Sequence, residues 1–270
     1  MDMRTADFLR QVNNNFYASC AQSFSATRTS AWAGWRRCAR HIANVPNAEK
    51  GVRVLDIACG NMRFESFLRT ELQRIPFKFS AVDDCHELAA SRFCTDGVND
   101  SPDYCSNEAL AHSSIQFQNL DILGSLFAGN LATDVRDACN NVVACFGFMH
   151  HVPGFDARCN MMRALIDLAA SDALIFVSLW RFMNDDRLAA KASDSWCGED
   201  PGFNLQLEHG DYFLGWQNQP GLIRYCHHFD DHEVQRLTDV AEHAGARVIE
   251  VFDADGKSGA LNRYLVLQKF

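Results

Sequence analysis

Three aspartates in this chain stand where an apolar run stops, and that placement gives them chemistry. Asp56 lies within VRVLDIA, Asp83 follows FKFSAV, and Asp121 follows IQFQNL. Short, nearly continuous apolar runs read as strands buried on both faces of a parallel sheet, and ligands bind outside the carboxyl ends of such strands. Asp83, in AVDDCHEL, is placed to accept from two ribose hydroxyls. Asp121, in NLDIL, is placed to accept from an adenine amino group, with Ile122 packing on the ring. After Asp56 the chain turns through Ala58, Cys59, Gly60 and Asn61 into a helix, which turns backbone amides and a helix N-terminus toward a carboxylate or phosphate. Asp84, beside Asp83, and Cys145, in NNVVACFGF, complete the candidate cofactor-binding set. A plainer alternative stands beside this one, because Asp at a strand end often caps the next helix.

The elements that must position these residues follow from periodicity. Residues 1–48 read as a helical cap, with Phe8, Val12 and Phe16, then Trp32, Trp35 and Ile42, at roughly helical spacing. Beyond the three runs already named, Val142 to Phe148 and Ala173 to Leu179 read as strands, with a helix between them carrying Met161, Leu165 and Leu168 on one face. Near the end, FDDHEVQRLTDVAEHAG reads as an amphipathic helix opened by an Asp230–Glu233 capping box and stopped at Gly245. ARVIEVF and ALNRYLVLQKF then flank DADGKSG as an antiparallel hairpin. Alternating strands and helices predict an α/β, Rossmann-like, seven-stranded, mostly parallel sheet with an antiparallel last strand. The chain is expected to be a single domain over 1–270: a helical cap at 1–48, a cofactor-binding core at 49–180, a substrate-covering insertion at 181–229, and a closing helix and hairpin at 230–270.

Composition narrows the function classes. With 47% hydrophobic and 22% charged residues among 270, the chain has ordinary globular composition, and no run is long enough for a membrane span. The net charge of −9 disfavours a protein that binds nucleic acid through its phosphates, unless a local basic face offsets it. Asp2, Arg4, Asp7 and Arg10 interrupt the apolar residues at the N-terminus, and eleven scattered cysteines contain no C-x-x-C pair; both point to a reducing, cytoplasmic setting. His227, His228 and His232 lack cysteine or carboxylate ligands at a recognisable spacing, so no metal is expected.

The order strand-Asp-x-x-x-Gly, Val-Asp, Leu-Asp and an apolar strand ending in His-His resembles class I S-adenosylmethionine-dependent methyltransferases over about residues 51–180. That resemblance implies S-adenosylmethionine as cofactor. The family places three glycines in the first loop; the corresponding residues here are Ala58, Gly60 and Met62. A nicotinamide-binding reading of the same loop wants G-x-G-x-x-G, which is absent. Four further stretches, FSATRTSAW from Phe24, FMHHVP from Phe148, DYFLGW from Asp211 and RYCHHF from Arg224, resemble the tRNA wobble-uridine carboxymethyl methyltransferases. This resemblance implies Arg28, Arg224, Tyr225 and His151 at the active site, and Trp180, Trp216 and His227 against the substrate. Two arginines suit a carboxylate, which guanidinium forks hold bidentately. The implied partner is carboxymethyl-uridine in tRNA, and the eukaryotic members of that subfamily work with a small zinc-binding activator subunit. Two alternatives stay open: a methyltransferase acting on the O or N of a small molecule, for instance a small carboxylate, or a binding protein that keeps the fold without the reaction.

Overall fold

The computed structural model describes residues 1–85, 88, 114–217, 219 and 221–270. Two helices open the chain, α1 (Met3–Ala26) and α2 (Trp35–Ala43). Asp2 caps α1 by accepting from the Thr5 amide, and the helix buries Leu9, Val12, Phe16 and Cys20 along one face. Asn13 is buried in that same face.

The core is a seven-stranded sheet of β1 (Val52–Ile57), β2 (Phe77–Asp83), β3 (Ser114–Asn119), β4 (Asn140–Cys145), β5 (Ala169–Trp180), β9 (Ala246–Ala254) and β10 (Asn262–Lys269). Its order is β3-β2-β1-β4-β5-β10-β9. The pairs β1–β2, β1–β4, β2–β3 and β4–β5 are parallel, and β10 runs antiparallel to both β5 and β9. The strand order reverses between β1 and β4, which opens a crevice at their carboxyl ends. Helices cover both faces. One face packs against α4 (Ile122–Phe127), α6 (Phe155–Leu168) and α8 (Asp231–His243); the other packs against α2 and α3 (Arg63–Glu71). A four-residue helix, α5 (Leu131–Asp134), links α4 to β4.

The insertion after β5 is itself built. A short helix α7 (Asp186–Ala189) leads to a three-stranded antiparallel sheet of β6 (Ala192–Ser193), β7 (Asp211–Gly215) and β8 (Ile223–His227). Asn13 joins this sheet to α1, its side-chain oxygen accepting from the Tyr225 amide at 2.8 Å. The helical cap and the insertion therefore form one wall. The expected capping box on α8 is only half made: Asp230 accepts from the Glu233 amide, but the Glu233 carboxylate turns instead to Arg158 and His227. Among the described residues, no helix is long and apolar enough to cross a membrane.

Candidate active site

A cavity of about 460 Å³ opens between the carboxyl ends of the strands and the wall formed by α1 and β8. Its floor is the turn after β1. Ala58, Gly60 and Met62 all take left-handed backbone angles, with φ of 61°, 54° and 54°. The turn thus keeps a conformation that three glycines would adopt at no steric cost, with a single glycine in it. The Ala58 and Cys59 amides donate to the Val82 carbonyl at 2.8 and 3.1 Å, which pins the turn to β2. Met62 does not line the cavity; its side chain is buried beneath the turn against Cys59 and Ala81. A Cβ on Gly60 would meet no atom within 4 Å, so the space above the turn is open.

Asp83 ties the floor together. Its carboxylate accepts from the Gly60 amide and from the Cys85 amide, both at 2.8 Å. Burial pushes its pKa up to about 6, against the lowering effect of those two amides. Asp56 is buried too, and its pKa is raised well above the usual carboxylate range by burial first, then by the neighbouring Glu65 and by Asp83. Asp56, Ala58, Cys59, Gly60, Asn61, Asp83 and Asp84 all line the cavity.

Three sequence-derived cofactor candidates lie elsewhere. Asp121 is the N-cap of α4, accepting from the Gly124 amide at 2.8 Å, and pairs with Arg10 at 2.7 Å. Ile122 and Cys145 are buried in the core. None of the three lines the cavity; Leu123, one residue on, does. For Asp121 the plainer helix-cap alternative describes what the residue does.

On the opposite wall, β8 presents Arg224 to the cavity. Its guanidinium lies 5.4, 5.8, 5.3 and 5.8 Å from the ring centroids of Phe16, Phe24, Trp180 and Trp216. Arg224 is 6% exposed, and its Nε has no hydrogen-bond partner. Among the described residues three arginines are this deeply buried. Arg158 and Arg181 have carboxylate partners, and Arg224 has none. Arg28 lies over Phe24, 3.4 Å from the ring centroid, and also lines the cavity. Burial lowers its pKa to about 10, helped by repulsion from Arg224, so it stays charged at neutral pH. Trp180 lines the cavity directly, whereas Trp216 stands behind, its ring 5.3 Å from Phe24.

Both histidines after β4 line the cavity. His151 is held by Tyr17, whose hydroxyl is 2.8 Å from Nε2, and its Nδ1 lies 3.0 Å from both the Asn13 amide group and the Tyr225 carbonyl. Burial and the charge of Arg224 lower its pKa to about 3, so it is neutral. His150 is buried with Nδ1 unpartnered, 4.8 Å from the Trp180 ring. Ligand atoms of His150, His151 and Cys226 lie within 4.8 Å of one another, but both ring nitrogens of His151 are already engaged.

Tyr225 and His227 do not reach the cavity. The Tyr225 hydroxyl donates to Asp211 at 2.7 Å, and His227 bridges Asp211 and Glu233, at 2.7 Å to each. Side chains alternate along a strand, so these two lie on the face opposite Arg224. Residues that sequence reasoning did not single out are Tyr17, Asn13 and Arg63, all in the cavity lining. Asn13 carried a signal: it is a polar residue on the apolar stripe of α1.

No family model and no curated protein matches this sequence. Solved structures do. The chain has the seven-stranded fold of class I S-adenosylmethionine-dependent methyltransferases. A Burkholderia thailandensis 1,6-didemethyltoxoflavin-N1-methyltransferase, solved with that molecule and S-adenosylhomocysteine, matches with a TM-score of 0.59 at 12% identity, covering 98% of this chain and 89% of that one. A SAM-dependent methyltransferase from Methanosarcina mazei matches at 0.53 and 13% identity, covering 85% and 97%. The magnesium protoporphyrin IX methyltransferase of Synechocystis PCC 6803, with bound S-adenosylhomocysteine, matches at 0.51 and 13% identity, covering 88% and 82%.

Proposed function

We propose that this protein is an S-adenosylmethionine-dependent methyltransferase that esterifies a carboxylate. The observation that carries the acceptor class is Arg224, a buried guanidinium without a counter-ion on the wall of the cavity. Its charge is met by the Tyr17 hydroxyl and by aromatic rings but by no carboxylate among the described residues, and a bound carboxylate would supply the missing counter-charge. The cofactor side rests on the open space above Gly60 and on Asp83 at the end of β2. When bound, S-adenosylmethionine supplies a methyl group on a positively charged sulfonium. A carboxylate is already ionised at neutral pH, so no general base is needed, and the neutral His151 is a positioning group. Arg224 and Arg28 would fix one acceptor oxygen in line with the donor, and orientation of that kind contributes most of such a rate. The aromatic rings around Arg224 exclude water and strengthen the ion pair.

The resemblance of FSATRTSAW, FMHHVP, DYFLGW and RYCHHF makes carboxymethyl-uridine in tRNA the leading acceptor. A small carboxylate is the second reading, favoured by the net charge of −9. The test is transfer of a labelled methyl group from S-adenosylmethionine to unmethylated tRNA and to a panel of small carboxylic acids, followed by treatment with base. A methyl ester releases its label as methanol, and Arg224→Gln is expected to lower the transfer roughly 100-fold. Label that survives base, or an Arg224→Gln variant of full activity, contradicts the proposal.

A further inference from the structure

Asn13 and Tyr17 stand one turn apart on α1 and hold the ring of His151 between them, Asn13 at Nδ1 (3.0 Å) and Tyr17 at Nε2 (2.8 Å). One end of this chain of polar groups has a single possible direction. The Tyr225 amide is a donor, so the Asn13 side-chain oxygen accepts from it at 2.8 Å, and the Asn13 nitrogen is left facing Nδ1. That nitrogen can only donate. Nδ1 therefore accepts, and the neutral His151 carries its proton on Nε2, from which it donates to the Tyr17 oxygen. The opposite tautomer would reach the Tyr225 carbonyl, also 3.0 Å from Nδ1, but it would set two N–H groups head to head. A carbonyl short of a donor is more readily tolerated than a buried N–H without an acceptor.

The Tyr17 oxygen also accepts from a second side, because Arg224 hydrogen-bonds to it and a guanidinium only donates. Both lone pairs of that oxygen are then taken, and the hydroxyl proton has no acceptor among the described residues. Burial pushes the Tyr17 pKa up to about 12, so the proton stays in place at neutral pH. Tyr17 lines the same cavity as Arg224 and Arg28. A hydroxyl whose oxygen already accepts from a cation and an imidazole is polarised into a stronger donor.

We infer that Tyr17 is an acceptor-binding residue: its hydroxyl, filled from behind by His151 and Arg224, donates its proton to the carboxylate that Arg224 holds. That the bound anion is the acceptor's carboxylate rests on the proposed function; the direction of the hydrogen-bond chain does not. In this arrangement His151 cannot serve as a base at Nε2, and it acts by fixing which way the Tyr17 hydroxyl points.

Two measurements on the full chain test this. Nitrogen-15 NMR of the histidine rings, with His151 assigned by the loss of its signals in His151→Gln, is expected to find the ring proton on Nε2 with no ligand present. Propionate is then titrated, also by NMR, into the chain saturated with S-adenosylhomocysteine. Tyr17→Phe keeps the ring and loses the hydroxyl, and should bind propionate roughly tenfold more weakly than wild type, as the loss of a hydrogen bond to a charged group implies. A proton on Nδ1 overturns the inference, and so does a Tyr17→Phe variant that binds propionate as wild type does. Arg224→Gln separates this outcome from a failure of the proposed function. Propionate binding that is absent from wild type, or indifferent to Arg224→Gln, contradicts the carboxylate reading and the inference with it. Binding that needs Arg224 but not Tyr17 removes only the role given to Tyr17.

Discussion

Arg158 and Arg224 are both buried arginines on the two sides of the insertion, and they differ in what surrounds them. Arg158, 1% exposed, donates to Glu233 at 2.6 Å, to Glu208 at 3.0 Å and to the Val152 carbonyl at 3.1 Å. Around it Asp211, His227 and the Tyr225 hydroxyl close a hydrogen-bonded network that joins α6, α8 and β7. Arg224 has aromatic rings where Arg158 has carboxylates. A guanidinium buried with its counter-ions is architecture. One buried without them, on a cavity wall, is the anion site we propose. The two settings meet at β8, which turns Arg224 to the cavity and Tyr225 and His227 to the network.

The sharpest way to break this comparison is to treat both arginines as structural. Arg158→Met removes the one group that bridges Glu208 and Glu233, leaving Glu208 only the N-terminal ammonium and Glu233 only His227, and should cost about 3–5 kcal/mol of stability. Urea unfolding measures it, and a loss under 1 kcal/mol would mean the network is not what holds the insertion down.

A smaller effect belongs to the cavity floor. Because the Asp83 pKa is raised to about 6 by burial, its carboxylate is charged above that value and protonated below it. Cofactor affinity should be flat above pH 7 and fall as pH drops through 6, approaching tenfold per unit below it. Asp83→Asn should abolish that dependence in a calorimetric titration. For stability the sign is opposite: a raised acid pKa favours the fold at low pH, and this contribution is lost as pH rises from about 4 to about 6.

The least effect is expected in the turn. Ala58 holds φ of 61°, so Ala58→Gly should relieve left-handed strain and raise stability by about 0.5–1 kcal/mol. A thermal melt that moves down instead would mean the Ala58 methyl contributes more by packing than it costs by strain.

Much of the fold was legible because each central strand is buried on both faces and so reads as a continuous apolar run. The turn after β1 and Asp83 were legible for a related reason, since their geometry is local. Tyr225 and His227, which the resemblance implies at the site beside Arg224, do not line the cavity, because the alternation of side chains on β8 puts them on the other face. Tyr17 was missed because its partner His151 is 134 residues away. Asp121 sits at a strand end like Asp83, but α4 begins at once and uses its carboxylate as a cap. Arg63 is the first residue of α3 and gave no pattern of its own; only the fold brings it into the same cavity as Arg28 and Arg224.

The most direct test of the contrast is urea unfolding of Arg224→Met set beside Arg158→Met. If Arg224 is kept for an anionic acceptor, an apolar side chain among Phe16, Phe24, Trp180 and Trp216 should leave stability unchanged or raise it while carboxylate methylation is lost. A loss of stability as large as that of Arg158→Met would contradict the account and make Arg224 a second structural arginine.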